Sequence, residues 1–496
     1  MYIVIEPIGD FYQSRFIGKF NQTMNRKNNA QRMLCKHLVM QLVAVVFMTN
    51  VSSSEENGPL LDLRSYGVDI PPGRVRQISA QNVLTQDSFG NACVAKVHVA
   101  VGEYLIVKLP DGQLVPRKSE DVNATERPFV GMPMDDLARE LRVGPLAEFK
   151  VKKSKHYIYI YNTSEAFNRA AVVILESMFN GVNTYVRNMG AKTTAPDVPL
   201  VVIMFKSRSE YQEYFRIDPS IIAYYHILNN RVVMCEETPL ARVDQALADQ
   251  QLISTIAHEG VHQILHNIGA QSRMSAWPMW ITEGFAEYLA PTTVGNNRRW
   301  KGAGQVNDMR MMELEVQIKA RDNANWTGDM ISESVTARQL TSVGYATSWG
   351  LTHYLAKMRR DQFRSYLQEL FLLQPLEGNM PVTPDGRIPR HLQLFQKHFG
   401  DDLSVIEQRM VKHLDRLPYT SPFADRPHVG LVIAYEDANK KIRRIGNVFH
   451  SDQIATQWQA AQLRRLGLKE NDVRVMARTF ANRAQAVQAV RETIGN

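Results

Sequence analysis

Three observations predict an α+β fold. Strand-type runs dominate the first half of the chain, up to about residue 235. From there to about residue 417 nearly every periodic segment is helical, beginning with "AHEGVHQILHNIG". A last, separate set of strand and helix patterns follows the loop "PYTSPFADRP". Runs of strands followed by runs of helices, with no regular alternation, point to segregated layers and not to a doubly wound sheet. At 496 residues, 44% hydrophobic and 22% charged, the chain suffices for two to four domains with cores of their own.

The N-terminal segment, residues 1–54, reads as a signal peptide or N-terminal extension. "MNRKNNAQRMLCKH" supplies a basic stretch and Leu38 to Val51 an apolar run of 14, with Val51 and Ser53 suited to the −3 and −1 positions of a cleavage site. Met24 or Met33 would serve as the start of such a signal. The expectation is export to the periplasm, the exterior or the envelope. A spanning helix needs about 20 apolar residues, so the run is short for a permanent anchor, although an uncleaved N-terminal anchor is the alternative. The segment before Ser54 holds six basic residues against two acids, half of the formal charge of +8. No basic stripe with interleaved aromatics occurs, which argues against nucleic acid as a partner. Nothing sets the oligomeric state. Of three cysteines, Cys35 lies in the signal; Cys93 and Cys235 either pair or stay free, and the lack of CxxC excludes a thiolate zinc site.

Residues 58–125 form a small β module, with a barrel one way of closing it: "ACVAKVHVAV" and "EYLIVKLPDGQLVPRK" are strand-like, and "PDG" is a hairpin turn signal. A connector with a short helix leads to a second region, 149–417. There "HYIYIYN" alternates like a half-buried strand, a long amphipathic helix stops at Gly190, and "PLVVIMF" is a buried strand. "SRSE", Ser207 to Glu210, is a capping box, and 221–235 is a hairpin turning at Asn229-Asn230. Residues 428–496 read as a small βαβα-like unit to which no function is assigned.

The chemistry concentrates in His258, Glu259 and His262. On an α-helix, positions i and i+4 lie about 40° apart and one turn up, so both imidazoles can face one ion. Glu259 lies about 100° round, beside the ion, where it can take a proton from a water held there. The apolar stripe Ile253, Ala257, Val261, Ile264, Ile268 leaves the two histidines on another face, and Gly269 supplies a helix stop. Gly260 inside the helix costs about 1 kcal/mol against alanine, tolerable where something approaches closely. His266 sits about 12 Å along the axis from His258, too far for one ion, and is expected to pack or to support the site. The third ligand is sought in "WPMWITEGFAEYLAP". If this segment packs on the histidine helix, Glu283 can ligate while Glu287, one turn on, orients an imidazole N–H. The alternative for this pair is a solvated acidic face.

"HEGVH" followed by "EGFAEY" resembles the gluzincin metallopeptidases, in particular the peptidase MA-like group. The longer pattern "HEGVHQILHNIG…WPMWITEGFAEYL" is similar to an uncharacterised bacterial family of exported HExxH proteins. The resemblance implies a zincin-like domain over 149–417, with a mixed sheet, the HExxH helix and a helical C-terminal lobe. It would be flanked by the β module and the C-terminal αβ unit. It also implies Zn2+ bound by His258, His262 and Glu283, Glu259 as general base, and a peptide or protein substrate aligned by a sheet edge, for which the 221–235 hairpin is the candidate. Gluzincins often place a donor against the tetrahedral oxyanion, a role open to Tyr345 or His353. The alternative function is a non-proteolytic, zinc-containing protein associated with the cell envelope; a structural zinc usually has four protein ligands, and no fourth is evident.

Overall fold

The computed structural model describes residues 59–495 except 80, 216–217, 219–220, 243–244, 293–298, 321–326, 379–382, 420 and 438. The apolar run Leu38–Val51, its cleavage positions and Cys35 lie outside the described residues. No helix among the described residues is long and apolar enough to cross a membrane. Cys93 and Cys235 are free thiols. The architecture is α+β, with three separate sheets.

The middle sheet positions the site. Its five strands run in the order Ala223–His226, Arg231–Cys235, Leu200–Phe205, Tyr157–Tyr161, Lys150–Lys153. The inner three are parallel and the outer two antiparallel to their neighbours, so the sheet is mixed. The alternation in "HYIYIYN" predicts a half-buried strand, but all five residues of Tyr157–Tyr161 are buried. The reason is a second layer. Tyr157, Tyr159 and Tyr161 face the main core, made with helix Glu165–Asn188 and the histidine helix Gln245–Asn267, while Ile158 and Ile160 face a smaller core with Leu137, Phe149 and Tyr211.

Local signals act as their chemistry requires. Ser207 and Glu210 form the capping box of helix Arg208–Tyr214. Asn230 adopts φ 61° at the hairpin turn, the left-handed conformation that asparagine tolerates. That hairpin makes Ala223–His226 an outer strand of the sheet among the described residues, alongside the histidine helix.

Two glycines set the depth at which the site is buried. A Cβ on Gly260 would stand 2.3 Å from Leu175 Cδ2, so the helix Glu165–Asn188 packs directly on the histidine helix at that point. A Cβ on Gly284, in the glutamate helix Met279–Leu289, would stand 2.4 Å from the Ser348 carbonyl oxygen. The glutamate helix therefore rests with its backbone against the helix Ser342–Met358, and Glu283 turns towards the histidines. A Gly284→Ala variant is expected to lose about 1–3 kcal/mol of stability, because the clashing partner is backbone and cannot swing aside. Chemical denaturation measures this; an unchanged midpoint would refute the close contact.

The other two sheets flank this core. The N-terminal one runs in the order Leu114–Lys118, Tyr104–Lys108, Ala92–Val101, Asn82–Gln86, Asn123–Thr125, with Val75–Arg76 also paired to Ala92–Val101. Among the described residues the path ends at two edges and does not close as a barrel. Buried Arg273 ties it in, donating from Nη1 to the carbonyls of Gly112 (3.0 Å) and Ile227 (3.2 Å), while His98 Nε2 donates to the Arg273 carbonyl (2.8 Å).

The C-terminal sheet places His428–Glu436 between Ile442–Phe449 and Val473–Phe480, all antiparallel. Helices Asp452–Leu466 and Arg483–Gly495 complete it. The unit is thus ββαβα, and the βαβα-like reading lacks the strand Ile442–Phe449. Charged residues and Gly446 hide that strand's pattern. The glycine is needed because a Cβ there would come within 2.9 Å of both Leu431 O and Val432 Cγ2.

Candidate metal centre

Two helices build the site. The i, i+4 spacing puts His258 and His262 on one face of the histidine helix, with their Nε2 atoms 3.0 Å apart. Glu283 Oε2 lies 3.0 Å from His258 Nε2 and 3.5 Å from His262 Nε2. Ligands of a tetrahedral ion bonded at about 2.0–2.2 Å stand about 3.3–3.6 Å from one another. The observed triangle has that scale, and the group His258, His262 and Glu283, wholly buried, could hold a metal ion. Glu283 is therefore turned inward and is not part of a solvated acidic face.

Electrostatics fit the donor set. Burial opposes charge on Glu283, but His262 and His258 hold its carboxyl below the ordinary value. Burial likewise opposes a charged His258, yet Glu287 and Glu283 raise its imidazole to about 10. A cation binding here would replace the proton of His258 as the counter-charge of the two carboxylates. For His262 burial prevails and lowers the value, keeping the ring neutral and ready to ligate.

Glu259 stands beside the triangle, fully buried. Its Oε2 accepts the backbone N–H of Tyr225, on the outer strand Ala223–His226, at 2.7 Å. Its Oε1 has no hydrogen-bond partner among the described residues. Burial raises the carboxyl to about 8, while His258 and the Tyr225 N–H oppose the shift.

Glu287 backs the site: its Oε1 lies 3.2 Å from His258 Nδ1, the nitrogen turned away from the triangle. The contact is at ion-pair distance without hydrogen-bond geometry, and it puts Glu287 on the side from which a carboxylate orients a ligating imidazole. Glu287 is itself held by Asn307 Nδ2 (2.7 Å) and Arg310 Nη2 (2.7 Å), and Arg310 also donates to Glu313 (2.7 Å). Sequence reasoning missed Asn307, Arg310 and Glu313, which sit on another helix or its lead-in. The "RMMELE" stretch gave only a weak hint, an arginine three residues before a glutamate.

Tyr345 reaches the site. Its ring lies 6.4 Å from that of His258, with the Arg310 guanidinium 5.3 Å over it. Burial, with Glu283 and Glu259 next, pushes its phenol well above the ordinary value, so it stays protonated. His353 does not reach the site, which corrects its candidacy as a donor. Two turns further along the same helix, it pairs with His413 (2.9 Å) and packs against Trp349 and Tyr288.

His266 lies outside the triangle, half-buried and stacked on Tyr225 with Nδ1 3.1 Å from the Gln271 carbonyl, and desolvation pushes its imidazole down to about 3. Glu283→Ala should therefore weaken metal binding by more than the roughly 100-fold upper range for supporting residues. His266→Ala should leave it unchanged. Metal titration of both variants checks this, and equal losses would remove Glu283 from the ligand set.

Residues 252–377 match the family described as Protein of unknown function (DUF1570), so a DUF1570 domain runs from the histidine helix past the helix of Tyr345. No curated protein matches the sequence.

Proposed function

We propose that the protein is an exported zinc-dependent metallopeptidase of zincin-like fold, hydrolysing peptide bonds of a peptide or protein substrate. One observation carries this reading. Two imidazole nitrogens and a carboxylate oxygen converge in a buried triangle, and Glu259 stands beside it with one oxygen unpartnered. Two histidines and a glutamate suit zinc, and three protein ligands leave a position open for chemistry. Zinc bound there would supply Lewis-acid polarisation of the scissile carbonyl and of the attacking water.

The chain's own residues do the rest. Glu259 Oε1 takes the proton of the attacking water and returns it to the leaving amine. The Tyr225 N–H holds Oε2 and so fixes which oxygen is presented. Glu287 keeps the His258 ring in its ligating orientation. Tyr345, protonated and close to Glu283 and Glu259, is the donor for the developing oxyanion. The edge strand Ala223–His226 is suited to align an extended substrate, as strand edges do.

Metal analysis of the purified full chain should find about one zinc ion per chain. A random peptide library should be cleaved, with cleavage lost on chelation and restored by zinc. A chain that takes up no divalent metal would overturn the proposal. Zinc retained with no peptide cleaved would favour the non-proteolytic, envelope-associated alternative.

A further inference from the structure

We propose that the exposed edge of the C-terminal sheet, strand Val473–Phe480, docks an acidic polypeptide segment by strand addition. This surface is separate from the metal centre and does not depend on its chemistry.

The strand pairs on one side only among the described residues, with His428–Glu436. Both helices of the unit pack chiefly on the other two strands. Arg474, Val475, Ala477, Arg478 and Thr479 are exposed as a result. A strand eight residues long with one unpaired side presents a ladder of N–H and C=O groups that another strand can satisfy.

Charge selects the kind of strand. Residues 428–496 hold eleven Lys and Arg against six Asp and Glu, a net of +5, whereas residues 54–427 come to −1. The register concentrates part of this charge on one face. Ala434 lies opposite Arg444 on one side and Arg474 on the other, and Gly430 lies opposite Arg478. Residues opposite one another share a face, so the three arginines lie on the same face of the sheet. Along the edge strand that face reads Arg474, Met476, Arg478, Phe480, with the Arg478 guanidinium 5.3 Å over the Phe480 ring.

Charged side chains on an edge usually discourage pairing, and here they do so for a second copy of this chain, whose arginine rows would be brought together. For an acidic strand the same arginines are attractive. Arg474 and Arg478 are about 13 Å apart along the strand, so the complementary segment carries acidic residues four positions apart with an apolar residue midway, opposite Met476. A polyanion without a peptide backbone could meet the charge but not the ladder. Main-chain bonds supply affinity and alternate side chains the specificity in this mode of recognition.

The test selects a random library of ten-residue peptides against the intact protein. Enriched peptides should show the pattern acid-x-apolar-x-acid and bind independently of chelation. Affinity, read by fluorescence anisotropy, should fall about tenfold or more in the double variant Arg474→Glu, Arg478→Glu. N-methylation of alternate peptide amides should cause a similar loss with the wild-type protein, which keeps the test decisive if the double variant folds poorly. The charge-matched variant Lys440→Glu, Lys441→Glu, on exposed residues of the same unit, should bind as wild type. No enriched pattern, methylated peptides that bind as tightly, an equal loss in the lysine variant, or equal competition by a single-stranded oligonucleotide would each overturn the proposal.

Discussion

Under the proposed mechanism, a Glu259→Gln variant is expected to keep bound zinc and to lose peptide hydrolysis by about 10²–10⁴-fold. The amide has the shape of the carboxylate, so its oxygen can still accept the Tyr225 N–H that now holds Oε2 at 2.7 Å. The ligand triangle of His258, His262 and Glu283 does not include the substituted group. What disappears is a base: an amide takes no proton from water, and no other carboxylate can substitute. Glu283 is committed to the triangle, and Glu287 lies behind His258 and is held by Asn307 and Arg310. Zinc content and single-turnover cleavage of the same peptide, measured side by side, separate the two effects. Undiminished cleavage in the variant would remove Glu259 as the base. Loss of metal along with activity would instead place its carboxylate among the ligands.

How much of this site can be read in the sequence depends on how local each geometric relation is. His258, Glu259 and His262 lie within one and a quarter turns, and the helix alone fixes their mutual directions. The inward turn of Glu283 needed one assumption, that its helix packs on the histidine helix. Gly284 does not mark that packing: its 2.4 Å approach to Ser348 O is to the helix Ser342–Met358. Rise per residue excludes His266, and its ring indeed lies outside the triangle, stacked on Tyr225. Other relations have no local signature. The Tyr225 N–H reaches Glu259 across 34 positions because a hairpin brings the sheet edge beside the helix, and nothing in "AYYH" marks which amide faces out. Tyr157–Tyr161 alternates in type although both of its faces are covered, because tyrosines and isoleucines meet different cores. The two donors offered for the oxyanion, Tyr345 and His353, could not be ranked from sequence. Eight residues on one helix place them about 12 Å apart, and only packing decides which end meets the histidines.

Replacing Arg310 by methionine is expected to destabilise the protein by about 3–5 kcal/mol, the cost of leaving buried charge without its partner. Arg310 is 5% exposed and bridges Glu287 and Glu313 at 2.7 Å each, with Ser342 Oγ donating to the far oxygen of Glu313 at 2.9 Å. Burial opposes ionisation of Glu287, and Arg310 and then His258 hold it below its ordinary value of 4.5. A carboxyl depressed in the folded state adds stability above its unfolded value and loses it as the pH falls through the folded one. The gap between wild type and variant should accordingly narrow in acid. Without the arginine, Glu287 would keep only the neutral Asn307 amide and His258 beside it, or take up a proton and cease to orient the imidazole. Metal affinity should then drop by about 10–100-fold, the range for groups that act through a ligating histidine. A general loss of packing would also lower stability, so the decisive measurement is a double-mutant cycle with Glu287→Gln. If the guanidinium acts through Glu287, the two substitutions together should cost about 1–3 kcal/mol less than the sum of each alone, because the neutral amide no longer needs the cation. Strict additivity would mean that Arg310 serves the helix it stands on and not the metal centre.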